Sequence, residues 1–170
     1  MVPKRFASTM PLAPGDLAPP ISLRDADGHE RSSDQLQGRP LVLFFYPKDD
    51  TPGCTAEACA FRDSYADIQA LGAVVWGVSG DSAGSHRRFA ERHQLPFPLL
   101  VDEGNRLRQA FGVPSVLGLL PGRVTYVIAG DGVIRLVFNK LLDGAAHRRE
   151  ALRVLRELQE QGNKRGGSGA

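Results

Sequence analysis

The sequence predicts an α/β sandwich with a mostly parallel central sheet and an antiparallel pair at its edge. Two continuous apolar runs, residues 41–46 and 73–79, have the pattern of strands buried on both faces. Each is followed by a stretch with apolar residues at helical spacing. Later, two apolar stretches flank Gly130-Asp131-Gly132, a hairpin signal, and a last helical segment follows them.

The elements follow in order. Residues 1–13 read as a flexible N-terminal segment, with Met10 as an alternative start, and the domain proper as 14–161. Residues 21–24 and 29–32 flank Asp25-Ala26-Asp27-Gly28, a turn-rich tetrapeptide that predicts a small N-terminal hairpin. Phe61, Tyr65 and Ile68 place one helix over 55–70. Ser82 is the expected N-cap of a helix over 82–93, and residues 97–101 form a short strand. A short helix over 103–111 leads into a Pro/Gly-containing loop over 113–122, whose segment 115–120 is apolar enough to rim a pocket or touch another subunit. Residues 124–129 and 133–138 are the hairpin strands. The last helix spans 145–161, with Ala151, Leu152, Leu155 and Leu158 on one face, and 162–170 is a polar, glycine-rich tail.

At 170 residues the chain fits a single domain with room for a proper core. Its 21 basic and 19 acidic residues are scattered and give a formal charge of +2, which offers no argument for a nucleic-acid partner. No apolar stretch approaches the roughly 20 residues needed to span a bilayer, so no membrane role is expected. Lys4 and Arg5 are not followed by an apolar core, so a secretory signal is not expected either, and the cytoplasm is the expected compartment. The four histidines are dispersed and the cysteines lack zinc-ligand spacing; neither metal nor cofactor is expected.

The chemistry concentrates on Cys54 and Cys59, the two cysteines of the chain. In a reducing compartment such a pair is catalytic or redox-sensing rather than a permanent staple. Cys54 follows Thr51-Pro52-Gly53 where a strand gives way to a helix, and unpaired amides with the positive end of the helix dipole favour a thiolate there. A free thiol of pKa about 8.5 is only a few per cent ionised at pH 7. Lowering it to about 6 makes it roughly 90% thiolate and requires about 3.4 kcal/mol. A helix end contributes about 2 kcal/mol at most, so a cation is needed nearby. Arg123, at the start of a predicted strand, is the candidate. In an ideal helix residues five apart have Cα atoms about 8.7 Å apart, beyond the roughly 4.4–6.8 Å of a disulfide. If Cys54 and Cys59 bond, the first helical turns must unwind.

The segment Pro47-Lys48-Asp49-Asp50-Thr51-Pro52-Gly53-Cys54-Thr55, continued by Glu57-Ala58-Cys59 and Phe61-Arg62-Asp63, resembles the active site of the peroxiredoxins. The cysteine spacing is similar to that of the peroxiredoxin Q, or bacterioferritin comigratory protein, subfamily. Pro14-Gly15-Asp16-Leu17-Ala18-Pro19 and Arg123-Val124-Thr125-Tyr126-Val127-Ile128 extend the match. The resemblance implies a thioredoxin-like fold, with a central mixed β-sheet flanked by helices and an N-terminal β-hairpin extension. It implies reduction of hydrogen peroxide and organic hydroperoxides, with thioredoxin as the usual electron donor; the sequence leaves monomer and homodimer both open. Cys54 matches the peroxidatic cysteine, which becomes a sulfenic acid, and Cys59 the resolving cysteine, which closes a disulfide with it. Thr51 would bond thiolate and peroxide, Pro47 shield the pocket, Arg123 hold the thiolate, and Glu57 orient an arginine. Val124 and Ala60 depart from the usual pattern at positions where no chemistry is required.

Blander readings stay open at the level of sequence. Cys54 as an inert buried thiol, Cys59 as a core residue of a one-cysteine peroxidase, and Glu57 as a first-turn residue complementing the dipole all fit the residues. Lys48, Asp49 and Asp50 read as solvated loop charges, and Trp76 as core. A redox-gated chaperone, a dithiol–disulfide exchanger and a Cys–His hydrolase are the competing functions.

Overall fold

The computed structural model describes residues 11–116 and 120–166. In chain order the strands are β1 (Ser22–Arg24), β2 (Glu30–Ser32), β3 (Leu41–Phe45), β4 (Val74–Ser79), β5 (Leu99–Val101), β6 (Ser115–Val116), β7 (Leu120–Pro121), β8 (Val124–Ile128) and β9 (Ile134–Asn139). The α-helices are α1 (Pro52–Asp63), α2 (Tyr65–Ala70), α3 (Ala83–His93), α4 (Arg106–Ala110) and α5 (Gly144–Gly166).

A five-stranded sheet runs in the order β5-β4-β3-β8-β9. β3 and β4 pair in parallel, as do β4 and β5, whereas β8 is antiparallel to both β3 and β9. The sheet is therefore mixed, the fold is thioredoxin-like, and β1 pairs with β2 in the expected N-terminal hairpin. The continuous apolar run over β3 has a simple cause. Val42 and Phe44 point into a core with Phe61 and Ile68 of the helices after the strand, Phe89 of α3 and Leu155 of α5. Leu41, Leu43 and Phe45 point the other way, to Trp76, Leu107, Phe111 and Tyr126. Both faces are dry, so no polar alternation appears.

The helix expected over 55–70 is two helices. α1 begins at Pro52, whose missing N–H is harmless in a first turn, and stops at Ser64, which leaves helical geometry at φ −104°, ψ 8°. Ser64 is buried and accepts a hydrogen bond from Arg148 of α5 at 3.4 Å. The helix expected over 103–111 is also divided. Gly104 and Asn105 take positive φ, and the Asp102 carboxylate accepts from the amides of Leu107 and Arg108 at 2.8 and 3.0 Å. Ser82 caps α3 as expected, accepting from Ser85 N–H at 3.2 Å. β6 and β7 pair across the expected loop, and residues 117–119 of the apolar segment lie outside the described residues, as do 1–10 and 167–170. α5 carries to Gly166, past the Gln161 limit expected. No helix among the described residues is long and apolar enough to cross a membrane.

α5 lies against α1 through a glycine. A Cβ on Gly144 would stand 2.7 Å from both the N and Cα of Glu57, backbone atoms that cannot swing aside. The missing side chain thus sets how closely α5 approaches α1. Gly144→Ala is expected to cost about 1–3 kcal/mol in urea unfolding. Gly162→Ala, on the same helix with nothing within 4 Å of the new methyl, should instead be neutral or gain up to about 1 kcal/mol.

Candidate active site

The site is built where β3 ends. Tyr46 is fully buried, and its hydroxyl donates to Asp49 Oδ1 at 2.6 Å. Asp49 N–H donates to Asp81 Oδ2 at 2.9 Å, and Ser85 Oγ donates to Asp49 Oδ2 at 2.8 Å. His86 Nδ1 lies 2.7 Å from Asp49 Oδ2, and its Nε2 donates to the Leu100 carbonyl at 2.9 Å. Asp49 is thus not the solvated loop charge expected; it is 6% exposed and ties the loop to α3. Asp50 turns the chain in the left-handed region at φ 59° and pairs with Arg92 at 3.0 Å. Thr51 occupies the N-cap position, and α1 starts behind it.

Cys54 is the third residue of α1 and is 1% exposed. Arg123 Nη2 donates to its Sγ at 3.2 Å, and Arg123 Nη1 donates to Glu57 Oε1 at 3.0 Å. Arg123 Nε donates to the Leu141 carbonyl at 2.9 Å, so all three guanidinium nitrogens have fixed partners. Gly53 makes room for this approach: a Cβ there would sit 3.0 Å from Arg123 Nη2. The cation that the thiolate argument required is therefore in hydrogen-bond contact with the sulfur.

Glu57 is completely buried, and burial pushes its carboxyl up to about 8, over the opposing pull of Arg123. Its second oxygen lies 3.2 Å from His147 Nδ1 of α5 without forming a hydrogen bond. His147 Nδ1 instead lies 2.8 Å from Thr125 Oγ1, and its Nε2 donates to the Lys140 carbonyl at 2.6 Å. Burial pushes His147 down to about 4, against the hydrogen bond to Lys140 and with help from Arg123.

A second arginine lies beneath the site. Arg108 is buried, and it donates to the carbonyls of Tyr46 at 2.7 Å and Gly122 at 2.5 Å. These carbonyls immediately precede Pro47 and Arg123, so one side chain ties together the segments that carry both residues. Its guanidinium carbon lies 5.6 Å from the centre of the Phe45 ring.

Of the residues singled out in the sequence, Cys54, Glu57 and Arg123 meet directly. Thr51 spends its hydroxyl hydrogen on the Lys48 carbonyl at 2.9 Å and makes no hydrogen bond to the sulfur among the described residues. Pro47 is half-buried next to Tyr46. Cys59 is half-buried on the same helix as Cys54, and both thiols are free. Sequence reasoning missed Asp49, His86, Arg108 and His147. A signal existed for three of them: His86 precedes Phe89 by three positions, Arg108 precedes Phe111 by three, and His147 precedes Ala151 by four, each on an apolar helix face. Among the described residues two clusters hold three potential metal ligands each, Asp25 with Asp27 and His29, and Asp49 with Asp81 and His86. Their central aspartates are already engaged by protein donors: the Asp49 oxygens accept from Tyr46 and Ser85, those of Asp25 from Arg31 and two backbone amides.

Residues 14–137 match the model of the AhpC/TSA family. Peroxiredoxin Q, chloroplastic, of Sedum lineare is 49% identical over 146 residues, covering 85% of this chain and 78% of that protein. The chain belongs to the AhpC/TSA family, in its peroxiredoxin Q branch. The solved peroxidoxin BcpB of Mycobacterium tuberculosis is similar at 36% identity and TM-score 0.78, over 85% of this chain and 96% of that one. The bacterioferritin comigratory protein of Xanthomonas campestris is similar at 28% identity and TM-score 0.75, over 82% and 92%. As a peroxiredoxin the chain is an enzyme of hydroperoxide reduction. The cytoplasmic expectation is corrected: the Sedum lineare protein and seven further plant relatives at 46–49% identity are chloroplastic. That expectation rested on the lack of a secretory pattern, which does not distinguish the cytoplasm from an organelle.

Removing Arg108 should loosen this peroxiredoxin where its two site segments meet. Arg108→Met strips two carbonyls of their donor and is expected to lower unfolding free energy by about 2–4 kcal/mol in a denaturant titration at pH 7.

Proposed function

We propose that the chain reduces hydrogen peroxide and organic hydroperoxides through a sulfenic acid on Cys54 and a disulfide between Cys54 and Cys59. The observation that carries this reading is the Arg123 guanidinium hydrogen-bonded to Sγ at 3.2 Å, in the first turn of α1. An arginine cannot lose its proton in this range, so its fork favours an anion at sulfur and at the oxygen that leaves it. The Cys54 thiolate attacks the terminal oxygen of ROOH. The S–O bond forms as the O–O bond breaks, sulfur is oxidised by two electrons, and the alkoxide takes a proton and leaves as ROH. Arg123 stabilises the charge that builds on that oxygen, Pro47 limits access of water, and Thr51 turns its hydroxyl from Lys48 to the incoming peroxide. Glu57 orients Arg123.

Resolution requires α1 to open. Cys59 attacks the sulfenic sulfur, the S–S bond forms, and the hydroxyl leaves as water. An intact helix holds residues at this spacing about 8.7 Å apart at Cα, so the bond and the wound first turns exclude each other. The opened loop presents the disulfide to a dithiol reductant of the thioredoxin type, whose thiols restore both cysteines by exchange.

Cys54→Ser is expected to abolish peroxide consumption in a thioredoxin-coupled assay. After one equivalent of peroxide, mass spectrometry should find an intramolecular disulfide in the parent protein and a trapped sulfenic acid in Cys59→Ser. A Cys54→Ser protein that keeps full turnover overturns the proposal. Arg123→Met should lower the rate constant with peroxide by about 10²–10³ while circular dichroism stays unchanged.

A further inference from the structure

We propose that Glu57 works as a neutral carboxylic acid and that His147, acting through it as a positioning residue, keeps the Arg123 charge committed to Cys54. The inference rests on the peroxidase reading and extends it. Glu57 Oε1 accepts from Arg123, but Oε2 is buried with no donor among the described residues. A carboxylate needs donors at both oxygens in a dry site. The nearest candidate, His147 Nδ1 at 3.2 Å, has no proton to offer. Its ring hydrogen must sit on Nε2, because the partner there is the Lys140 carbonyl, which only accepts. Nδ1 of the neutral ring is then a lone pair, and the Thr125 hydroxyl donates to it. An anion at Oε2 would face that lone pair with no compensation, whereas a protonated oxygen meets no such opposition.

The charges facing Glu57 bear this out from each packed element. Arg123 enters ahead of β8, Cys54 shares α1, and His147 comes from α5; Lys140 and Asp143 act on His147 from the turn before α5. With Glu57 at about 8 and His147 at about 4, both are uncharged at pH 7. Among the described residues the guanidinium then has no competing carboxylate, and its charge is left to the Cys54 sulfur. Above pH 8 Glu57 ionises, pairs with Arg123 and draws its charge away from the sulfur and the departing oxygen. The sign is fixed: activity is supported while Glu57 is protonated and falls as pH rises through its pKa.

The test combines infrared spectroscopy with a pH–rate profile on the full chain. Difference spectra should show a protonated carboxyl band at pH 7 that disappears on titration with a midpoint near pH 8 and is missing in Glu57→Gln. The peroxide rate constant should show an alkaline limb near the same pH, falling about tenfold across it. Glu57→Gln should lack that limb. His147→Phe removes the lone pair that opposes an anion at Oε2 and should move the limb about one pH unit lower. The double variant should behave as Glu57→Gln alone. Absence of the carboxyl band, or an alkaline limb that persists in Glu57→Gln, overturns the proposal. A band without any peroxide turnover defeats the peroxidase reading instead. Should His147→Phe not fold, the spectra and Glu57→Gln still decide.

Discussion

The guanidinium of Arg123 is the constraint on which the rest of the site depends. One rigid fork addresses the Cys54 sulfur, the Glu57 carboxyl and the Leu141 carbonyl. These partners come from the first turn of a helix, its second turn and the loop after β9. A flexible ammonium in its place would not hold them in one geometry. The surrounding architecture serves this fork: Gly53 clears space beside Nη2, Gly144 lets α5 close on Glu57, and Arg108 holds the backbone just ahead of Arg123.

Burial gives the interaction its strength and also its difficulty. An arginine and a carboxyl in a dry pocket are favourable only when every polar atom has a partner, and among the described residues one Glu57 oxygen has none. Hydrogen bonds to that oxygen would have drawn the Arg123 charge toward Glu57. Without them the Arg123 charge is left to the sulfur it already touches. Stability at Glu57 and reactivity at Cys54 thus pull against each other, and the geometry favours the cysteine.

The sheet was legible because β3 and β4 are buried on both faces, and that burial writes itself as long apolar runs; β8 is as buried and is interrupted only by Thr125. The hairpins were legible from Asp-Gly and Gly-Asp-Gly turns. The break at Ser64 was not, since a single off-helix residue leaves the apolar spacing of Phe61, Tyr65 and Ile68 intact. Cys54 and Arg123 were legible together because charge arithmetic demanded a cation that the helix end does not supply. Asp49 and Arg108 were hidden for the opposite reason. A charge is read as solvated by default, and only tertiary contacts with Tyr46, Ser85 and Gly122 reveal that it is buried. Thr125 and His147 likewise meet only when β8 and α5 pack.

The interruption at Ser64 has a consequence for the oxidised enzyme. Helix melting spreads cooperatively along an unbroken ladder of hydrogen bonds. Here the ladder ends at Ser64, whose N–H still donates to the Ala60 carbonyl, and α2 is rooted separately through Ile68 in the core. Ser64 therefore acts as a firebreak for α2, while Phe61, stacked on Phe44 of β3, anchors the far end of α1 to the sheet, so fraying that begins at Pro52 is held to the first turns.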